Sequence, residues 1–396
     1  MDFNYSEEQR LLSDSVGKYL DKNYSFEQRR EIIASRQGMS PTVWEGLASM
    51  GLLGVPIPQE FGGFGGGGVD VALVMEAFGR ALLVEPYLPT VMLAGSTIAL
   101  GGSDAQRQIL LPRIADGSMK LAFGHTEPGT RHELNRVRTS ARQEGGMWVI
   151  NGEKSVVLHG AVADLLIVTA RTSGAPDSPQ GITLFFVNPG EQGVMGREYP
   201  TYDGMRAAEV TFDNVTISPE SMIGVLDNGY PLLEMVIDRG IAAVCAEAVG
   251  CMGALQAATL EYLKTRQQFG VPIGKFQVLQ HRLVDMLIQC EQARSMALLA
   301  AVKVDSADAT ERRRSVSAAK ELIGRAGRFV GQQAIQLHGG MGMTEELSVG
   351  HYVKRLQAID TTFGDGDLHL DRFCAADAAE VEEPVRKPAK KWKQLV

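Results

Sequence analysis

The 396-residue sequence predicts a mixed α and β fold, predominantly helical, with a β domain set between two helical ones. Three observations predict it. Apolar residues recur near helical spacing over roughly 1–120. Between about 121 and 230 the pattern changes to short runs rich in β-branched and aromatic residues. From about 231 to 378 long stretches of helical period return. The expected units are therefore 1–120, 121–230 and 231–378, followed by a basic tail at 379–396.

In the first unit, residues 5–21 carry Leu11, Leu12, Val16, Tyr19 and Leu20 near helical spacing, and Ser6 with Gln9 forms a capping box. A second helix is predicted over 41–51, with Pro41 in its first turn and Gly51 at its end. A Pro- and Gly-rich stretch follows, with six glycines between 62 and 68. It reads either as a surface loop or as backbone that passes close to something else. Helical periodicity resumes over 69–100. In the second unit, MWVINGEKSVVL (147–158) reads as a hairpin turning at Asn151-Gly152. LLIVTAR (165–171), ITLFFVN (182–188) and EVTFDNVTI (209–217) read as strands of a small sandwich or barrel. The third unit holds three long helical stretches, 230–265, 276–303 and 311–338, as in a bundle of antiparallel helices.

Hydrophobic residues make up 44% and charged residues 22%, an ordinary globular balance, and the net charge of −8 argues against nucleic acid as a partner. No GxGxxG follows a strand and opens a helix, so a Rossmann enzyme is not indicated. The four cysteines form no CxxC and read as buried thiols of a reducing compartment. No membrane span is expected, and the acidic, amphipathic N-terminus carries no targeting pattern, so a cytoplasmic location is expected.

Two stretches suggest chemistry. In YLKTRQQFGVPIGKFQVLQH (262–281), Arg266, Gln268 and Phe269 cluster at a loop between helices, where Arg can clamp phosphate and Phe can stack on a ring. In QLHGGMGMTEE (336–346), Gln336 precedes Gly339-Gly340, whose bare backbone admits a phosphate or caps a helix. Together with WEGLASMGLLGVPIPQEFGGFG (44–65), LLPRIADGSMKLAFGHTEPG (110–129) and NGEKSVVLHG (151–160), in this order, they resemble the acyl-CoA dehydrogenase family over roughly 1–378.

The resemblance implies an N-terminal helical domain, a middle β domain and a C-terminal four-helix bundle. It also implies FAD as cofactor, an acyl-CoA thioester as substrate, and oxidation to the 2-enoyl-CoA with hydride transfer to flavin. Electron-transferring flavoprotein would reoxidise the flavin. In such proteins each FAD lies across a subunit interface, so a dimer or tetramer, with itself or with a related subunit, is implied. The half that one subunit donates to its neighbour looks intact here: Arg266, Gln268, Phe269, Gln336, Gly339 and Gly340.

The receiving half departs from the family pattern. Thr126 remains for the flavin ring edge, and Gly364 falls at the same site. The phosphate-touching turn after Thr126-Glu127-Pro128-Gly129 is replaced by Thr130-Arg131-His132-Glu133, where Arg131 and His132 offer other phosphate contacts. Trp-Ile-Thr is replaced by Val156-Val157-Leu158. The family places its base at either of two positions, which fall here on Phe363 and on Gly240-Ile241, and none of these residues takes a proton. Asp365, Asp238 and Glu247 stand nearby. Asp365 reads as a displaced base, a turn residue or an FAD ribose contact. Glu247, the lone charge in IAAVCAEAVGCM, reads as a displaced base or as an interhelical ion pair with an arginine. Two functions follow: an active FAD-dependent dehydrogenase with a relocated base, or a non-catalytic subunit that donates its half-site within an α2β2 assembly. Small-subunit-like chains of pimeloyl-CoA dehydrogenase share the Phe-Gly-Asp pattern. A flavin oxidase on the same fold is a third possibility.

Overall fold

The computed structural model describes residues 5–382. The expected basic tail lies outside the described residues from 383 onward.

The N-terminal helices are α1 (Glu7–Asn23), α2 (Phe26–Ala34), α3 (Pro41–Ser49), α4 (Gly68–Ala81), α5 (Ser96–Gly101) and α6 (Asp104–Ala115), with a π-helix over Leu88–Gly95. The capping box of α1 forms as expected, with Ser6 Oγ accepting from Gln9 N and Gln9 Oε1 accepting from Ser6 N. Pro41 opens α3, and Gly51 follows its end at φ 74°. The glycine run is packed. A Cβ on Gly63 would lie 2.0 Å from the Ile57 carbonyl oxygen, and one on Gly68 2.2 Å from that of Ala301. Glycine is needed there for close backbone approach.

Eight strands form one sheet: β1 (Leu121–Gly124), β2 (Ser140–Glu144), β3 (Met147–Leu158), β4 (Leu165–Arg171), β5 (Ile182–Val187), β6 (Val194–Pro200), β7 (Arg206–Ile217) and β8 (Met222–Ile223). The path runs β6-β7-β3-β2-β4-β5-β8, with β1 parallel to β4. The predicted turn at Asn151-Gly152 is absent, and β3 runs straight through it. The β2–β3 hairpin turns instead at Gly145-Gly146, both at positive φ. Asn151 is held across the sheet, its Oδ1 accepting from Asn214 N at 2.9 Å. Gly152 makes room for Thr139, whose Cα lies 2.6 Å from where a Cβ would stand.

The third unit contains α7 (Tyr230–Thr265), the two-residue strands β9 (Gln267–Gln268) and β10 (Val271–Pro272), then α8 (Gln277–Lys303), α9 (Ala309–His338), α10 (Ser348–Thr361) and α11 (Gly366–Glu382). By length and composition alone α7 would be long and apolar enough to cross a membrane. Its apolar window is 72% buried within the fold, where it packs against α4, α8, α9 and α10. Cys245, Cys251 and Cys290 are buried as expected, whereas Cys374 is exposed.

A buried ion network ties the three units together. Arg355 on α10 binds Glu247 of α7 through Nε and Nη2 at 2.5 and 2.7 Å, and Asp203 of the β6–β7 connection at 2.8 Å. Arg29 on α2 donates to the carbonyls of Leu82 and Asp203, each at 2.8 Å. Glu247 is therefore the interhelical ion pair, and its candidacy as a base is corrected. Removing one partner strands the other's charge in a low-dielectric interior. Arg355→Met should lower unfolding free energy by about 3–5 kcal/mol in a urea titration. A loss below about 1 kcal/mol would contradict a buried, desolvated network.

Candidate functional site

A cavity of about 460 Å³ opens where the β domain, the π-helix, α7 and the α10–α11 turn meet. Thr126, Val156 and Leu158 line its β-domain side, Pro89 and Leu93 the π-helix side, and Phe363 the turn. A buried ion pair sets the β-domain wall. Lys154 Nζ donates to Glu127 Oε1 at 2.6 Å and to Thr169 Oγ1 at 2.9 Å, and Glu127 also accepts from the backbone N–H groups of Arg138 and Thr139. Burial pushes the Glu127 carboxyl up, but the charge and hydrogen bonds of Lys154 outweigh it and hold the carboxyl below its ordinary value. Ser155 N donates to Thr126 O at 2.9 Å, which fixes Thr126 beside β3. The β3–β7 register shifts between Lys154 and Val157, and Val156 adopts φ 52°, a conformation costly for a β-branched residue. This bulge presents Val156 and Leu158 to the cavity and buries Val157.

The opposite wall is the turn between α10 and α11. Lys320 on α9 is fully buried, and its Nζ donates to the carbonyls of Asp360 and Gly364 at 2.8 and 2.6 Å. Burial drives the His369 imidazole down to about 3, so it is neutral, and its Nε2–H donates to the Phe363 carbonyl at 3.1 Å. Phe363 adopts φ 61° and Gly364 φ 115°. That φ strains any residue with a Cβ, and a Cβ on Gly364 would also lie 2.4 Å from Leu368 Cδ2, so the position favours glycine. The turn aims the Phe363 ring at α7, where Cε2 and Cζ stand 3.0 Å from the place of a Gly240 Cβ. The two positions at which the resemblance puts a base are thus neighbours. One is an aromatic ring, and the other is the bare backbone that accommodates it.

The acidic candidates lie elsewhere. Asp365 is exposed and caps α11, its Oδ1 accepting from Leu368 N at 3.0 Å. That hydrogen bond holds its carboxyl below the usual range, the opposite of what a base requires. The turn-residue reading is the one its geometry fits. Asp238 is fully buried between Arg312 and Arg372, at 3.0 and 3.1 Å, and does not line the cavity. The lining residues that escaped the sequence reading include His125, Glu234 and Arg372. Glu234 is bound to Arg313 by both carboxylate oxygens at 2.8–3.1 Å. Helical spacing back from Gly240 would have found it, since Tyr230, Glu234 and Ile237 share the cavity-facing side of α7.

The other predicted residues gather at the far end of the bundle. Tyr262 of α7 stacks on His338 of α9 at 4.4 Å, which brings the 266–269 loop and the 336–340 segment to one end. Arg266, Gln268, Gln336, Gly339 and Gly340 are all exposed there. Phe269 and Gly270 form the turn of the β9–β10 hairpin with φ 56° and 79°, and Phe269 is 90% exposed. An aromatic ring in a left-handed turn conformation, lifted into solvent, is costly without an occupant. A Cβ on Gly339 or Gly340 would meet nothing within 4 Å, so a ligand or a second chain can approach the backbone. None of these residues lines the cavity, so within one chain the two half-sites stand apart.

The sequence matches the acyl-CoA dehydrogenase N-terminal domain over residues 6–118, the middle domain over 122–215 and the C-terminal domain over 227–376. The chain belongs to this family of flavin-dependent oxidoreductases, whose members bind FAD. It is 31% identical to acyl-CoA dehydrogenase FadE12 of Mycobacterium tuberculosis, over 88% of this chain and 90% of the relative. Its fold is similar to the FAD complex of PigA, with a TM-score of 0.88, 25% identity, and coverage of 96% of this chain and 100% of that one. It is also similar to a chain of the ChsE4–ChsE5 complex of Mycobacterium tuberculosis, with a TM-score of 0.86, 25% identity, and coverage of 96% and 99%. The residues present fit FAD in two places: Thr126 on the cavity wall, and the exposed Arg266, Phe269 and Gly339-Gly340 surface.

Gly240→Ala should destabilise the protein by about 1–3 kcal/mol through overpacking against Leu93 Cδ2 and the Phe363 ring, and adding Phe363→Leu should recover part of that loss. Additive losses in the double variant would mean the two positions are not in contact. Glu127 binds its proton less readily folded than unfolded, so the unfolded state takes up more protons on acidification. The stability it contributes is present above its ordinary value of 4.5 and is lost as pH falls through the lower folded value. Acid titration of unfolding free energy should therefore have a shallower slope below pH 4.5 in Glu127→Gln/Lys154→Met than in the unaltered protein. Equal slopes would rule out the linkage.

Proposed function

We propose that the chain is a subunit of an FAD-dependent acyl-CoA dehydrogenase assembly and that it lends its 266–269 and 336–340 surface to the flavin of a related chain, whose own base removes the α proton. The observation that carries this reading is the Phe363 ring packed on Gly240, which leaves both family base positions without a proton acceptor. FAD supplies the hydride acceptor for the β hydrogen when it is bound. Arg266 would pair with the pyrophosphate, since its guanidinium is exposed and planar. Phe269 would be covered by the occupant of the interface, which offsets the strain of its turn. Gly339 and Gly340 would admit phosphate oxygens to backbone N–H groups.

The exposed apolar residues Val284, Leu287 and Ile288 on α8 support association with another chain. The similarity to one chain of a two-component complex supports a partner that differs from this chain. Electron-transferring flavoprotein would be the acceptor serving that assembly, and the cytoplasm its location.

A second reading keeps the chemistry in this chain. The open cavity of about 460 Å³, with Thr126 on its wall, favours it. It requires a base other than Glu247, Asp238 or Asp365.

Visible spectra separate the two. The chain purified alone should be colourless and should gain FAD absorbance only when mixed with a family member carrying a carboxylate at one of the base positions. Arg266→Ala should lower FAD content of the mixture by about tenfold or more, the loss of a charge-assisted contact worth roughly 1.5–3 kcal/mol. A yellow chain, purified alone, whose flavin bleaches with acyl-CoA would overturn the subunit reading.

A further inference from the structure

The cavity has a charged rim and a hydrocarbon inner end. Arg131, His132 and Glu133 of its lining are exposed, whereas Leu93, Phe123 and Ile237 are buried. The charged lining groups of α7 and α11 are paired within the chain, Glu234 with Arg313 at 2.8 Å and Arg372 with Asp238 at 3.1 Å. The inner end is closed. A methyl group placed on Gly240 would lie 2.9 Å from Leu93 Cδ2 and 3.0 Å from the Phe363 ring, so the π-helix, α7 and the α10–α11 turn meet there without room for one carbon. On its other side the same ring faces His125 at a centroid distance of 6.0 Å. Phe363 thus reaches from the β-domain wall to α7. Past this contact Ile241 and Val244 of α7 are fully buried and do not line the cavity.

The ring does not swing aside cheaply. The Phe363 carbonyl accepts from His369 Nε2 at 3.1 Å, and the Gly364 carbonyl after it from Lys320 Nζ at 2.6 Å. These bonds hold Phe363 at its φ of 61°, so the inner end is a fixed wall. The length in front of it is short. Glu234, the nearest charge on α7 that lines the cavity, stands six residues before Gly240, about 9 Å back along the helix axis. An extended chain advances about 1.2 Å per bond, so this length holds about seven bonds, a thioester included. A methylene buried in a fitting tunnel raises affinity about fourfold. One that meets a closed wall gains nothing, and forcing the ring aside costs the packing at Gly240.

We propose that this chain's cavity takes short-chain acyl thioesters, of the butyryl class, and that Phe363 sets the limit by closing the inner end against Leu93 and Gly240. The proposal rests on the reading of the chain as part of an acyl-CoA dehydrogenase assembly, and it holds whichever chain supplies the base. It gives the aromatic ring a task of its own, the exclusion of long chains.

Isothermal titration of the chain alone, in the presence of excess free FAD, with butyryl-CoA, hexanoyl-CoA and octanoyl-CoA tests it. Affinity should stay level or fall from butyryl-CoA to octanoyl-CoA. Phe363→Ala should shift the preference toward octanoyl-CoA by roughly tenfold or more, the worth of about two buried methylenes. Leu93→Ala, which opens the same contact from the π-helix, should move the preference the same way. Affinity that rises with each lengthening of the acyl chain in the unaltered protein would overturn the proposal. That series needs no substitution, so it decides even where a variant does not fold. An unchanged preference in folded Phe363→Ala and folded Leu93→Ala would overturn it as well. Binding of none of the three ligands would strike the acyl thioester reading and the proposal with it, whereas rising affinity strikes the proposal alone.

Discussion

Lys320 holds the turn on which the cavity depends. It is fully buried on α9, and its ammonium is satisfied by the carbonyls of Asp360 and Gly364. Burial lowers its pKa, and the negative charges of Asp360 and Asp365 act against that shift. Two carbonyls four residues apart, pinned to one ammonium, dictate the path between α10 and α11. His369 adds a third fastening at the Phe363 carbonyl. With its ends fixed in this way, the turn has one place to put the Phe363 ring, and Gly240 on α7 is the residue that leaves that place empty. The left-handed conformation of Phe363 persists because the surroundings over-determine it.

The same logic of strain held by neighbours recurs at Val156, where the bulge is anchored by the Lys154–Glu127 pair on one side and by Val157 in the β-domain core on the other. Phe269 is the exception. It is strained and 90% exposed, with an edge-on contact to the Phe276 ring at 6.1 Å. That asymmetry separates a half-site completed internally from one that is finished by a neighbour. The Arg355–Glu247–Asp203 network then keeps the β domain and the bundle in register, so that a turn fixed on α9 and a strand fixed by Glu127 can face one cavity.

Much of the fold was legible because helical period and cap chemistry are local signals. The three long helices fell within a few residues of their predicted bounds, and the Ser6–Gln9 box formed as read. The hairpin at Asn151-Gly152 was misread because a glycine needed for close approach of Thr139 looks the same in sequence as a glycine needed for a turn. Gly145-Gly146 carried the actual turn. At the site, the missing base could be read from spacing, but the reason it is missing could not. That Phe363 and Gly240 fit each other is a contact between residues 123 positions apart, visible only after folding. Glu247 and Asp365 were ambiguous for a related reason: their partners Arg355 and Leu368 N are set by tertiary and local geometry, which the residue types do not specify. His125 was passed over because it stands beside the Thr-Glu-Pro-Gly run, which drew attention to Thr126.

The most direct test of a site without a base at 240 or 363 follows the α proton itself. The chain alone, in the presence of excess free FAD, is incubated with butyryl-CoA in deuterium oxide, and α-deuterium is measured by mass spectrometry. No incorporation above the buffer rate is the predicted result, with exchange appearing when a partner carrying a family base is added. Exchange catalysed by this chain alone would show that it holds a working base of its own, and would contradict the packing of Phe363 on Gly240 as the reason its chemistry depends on another subunit.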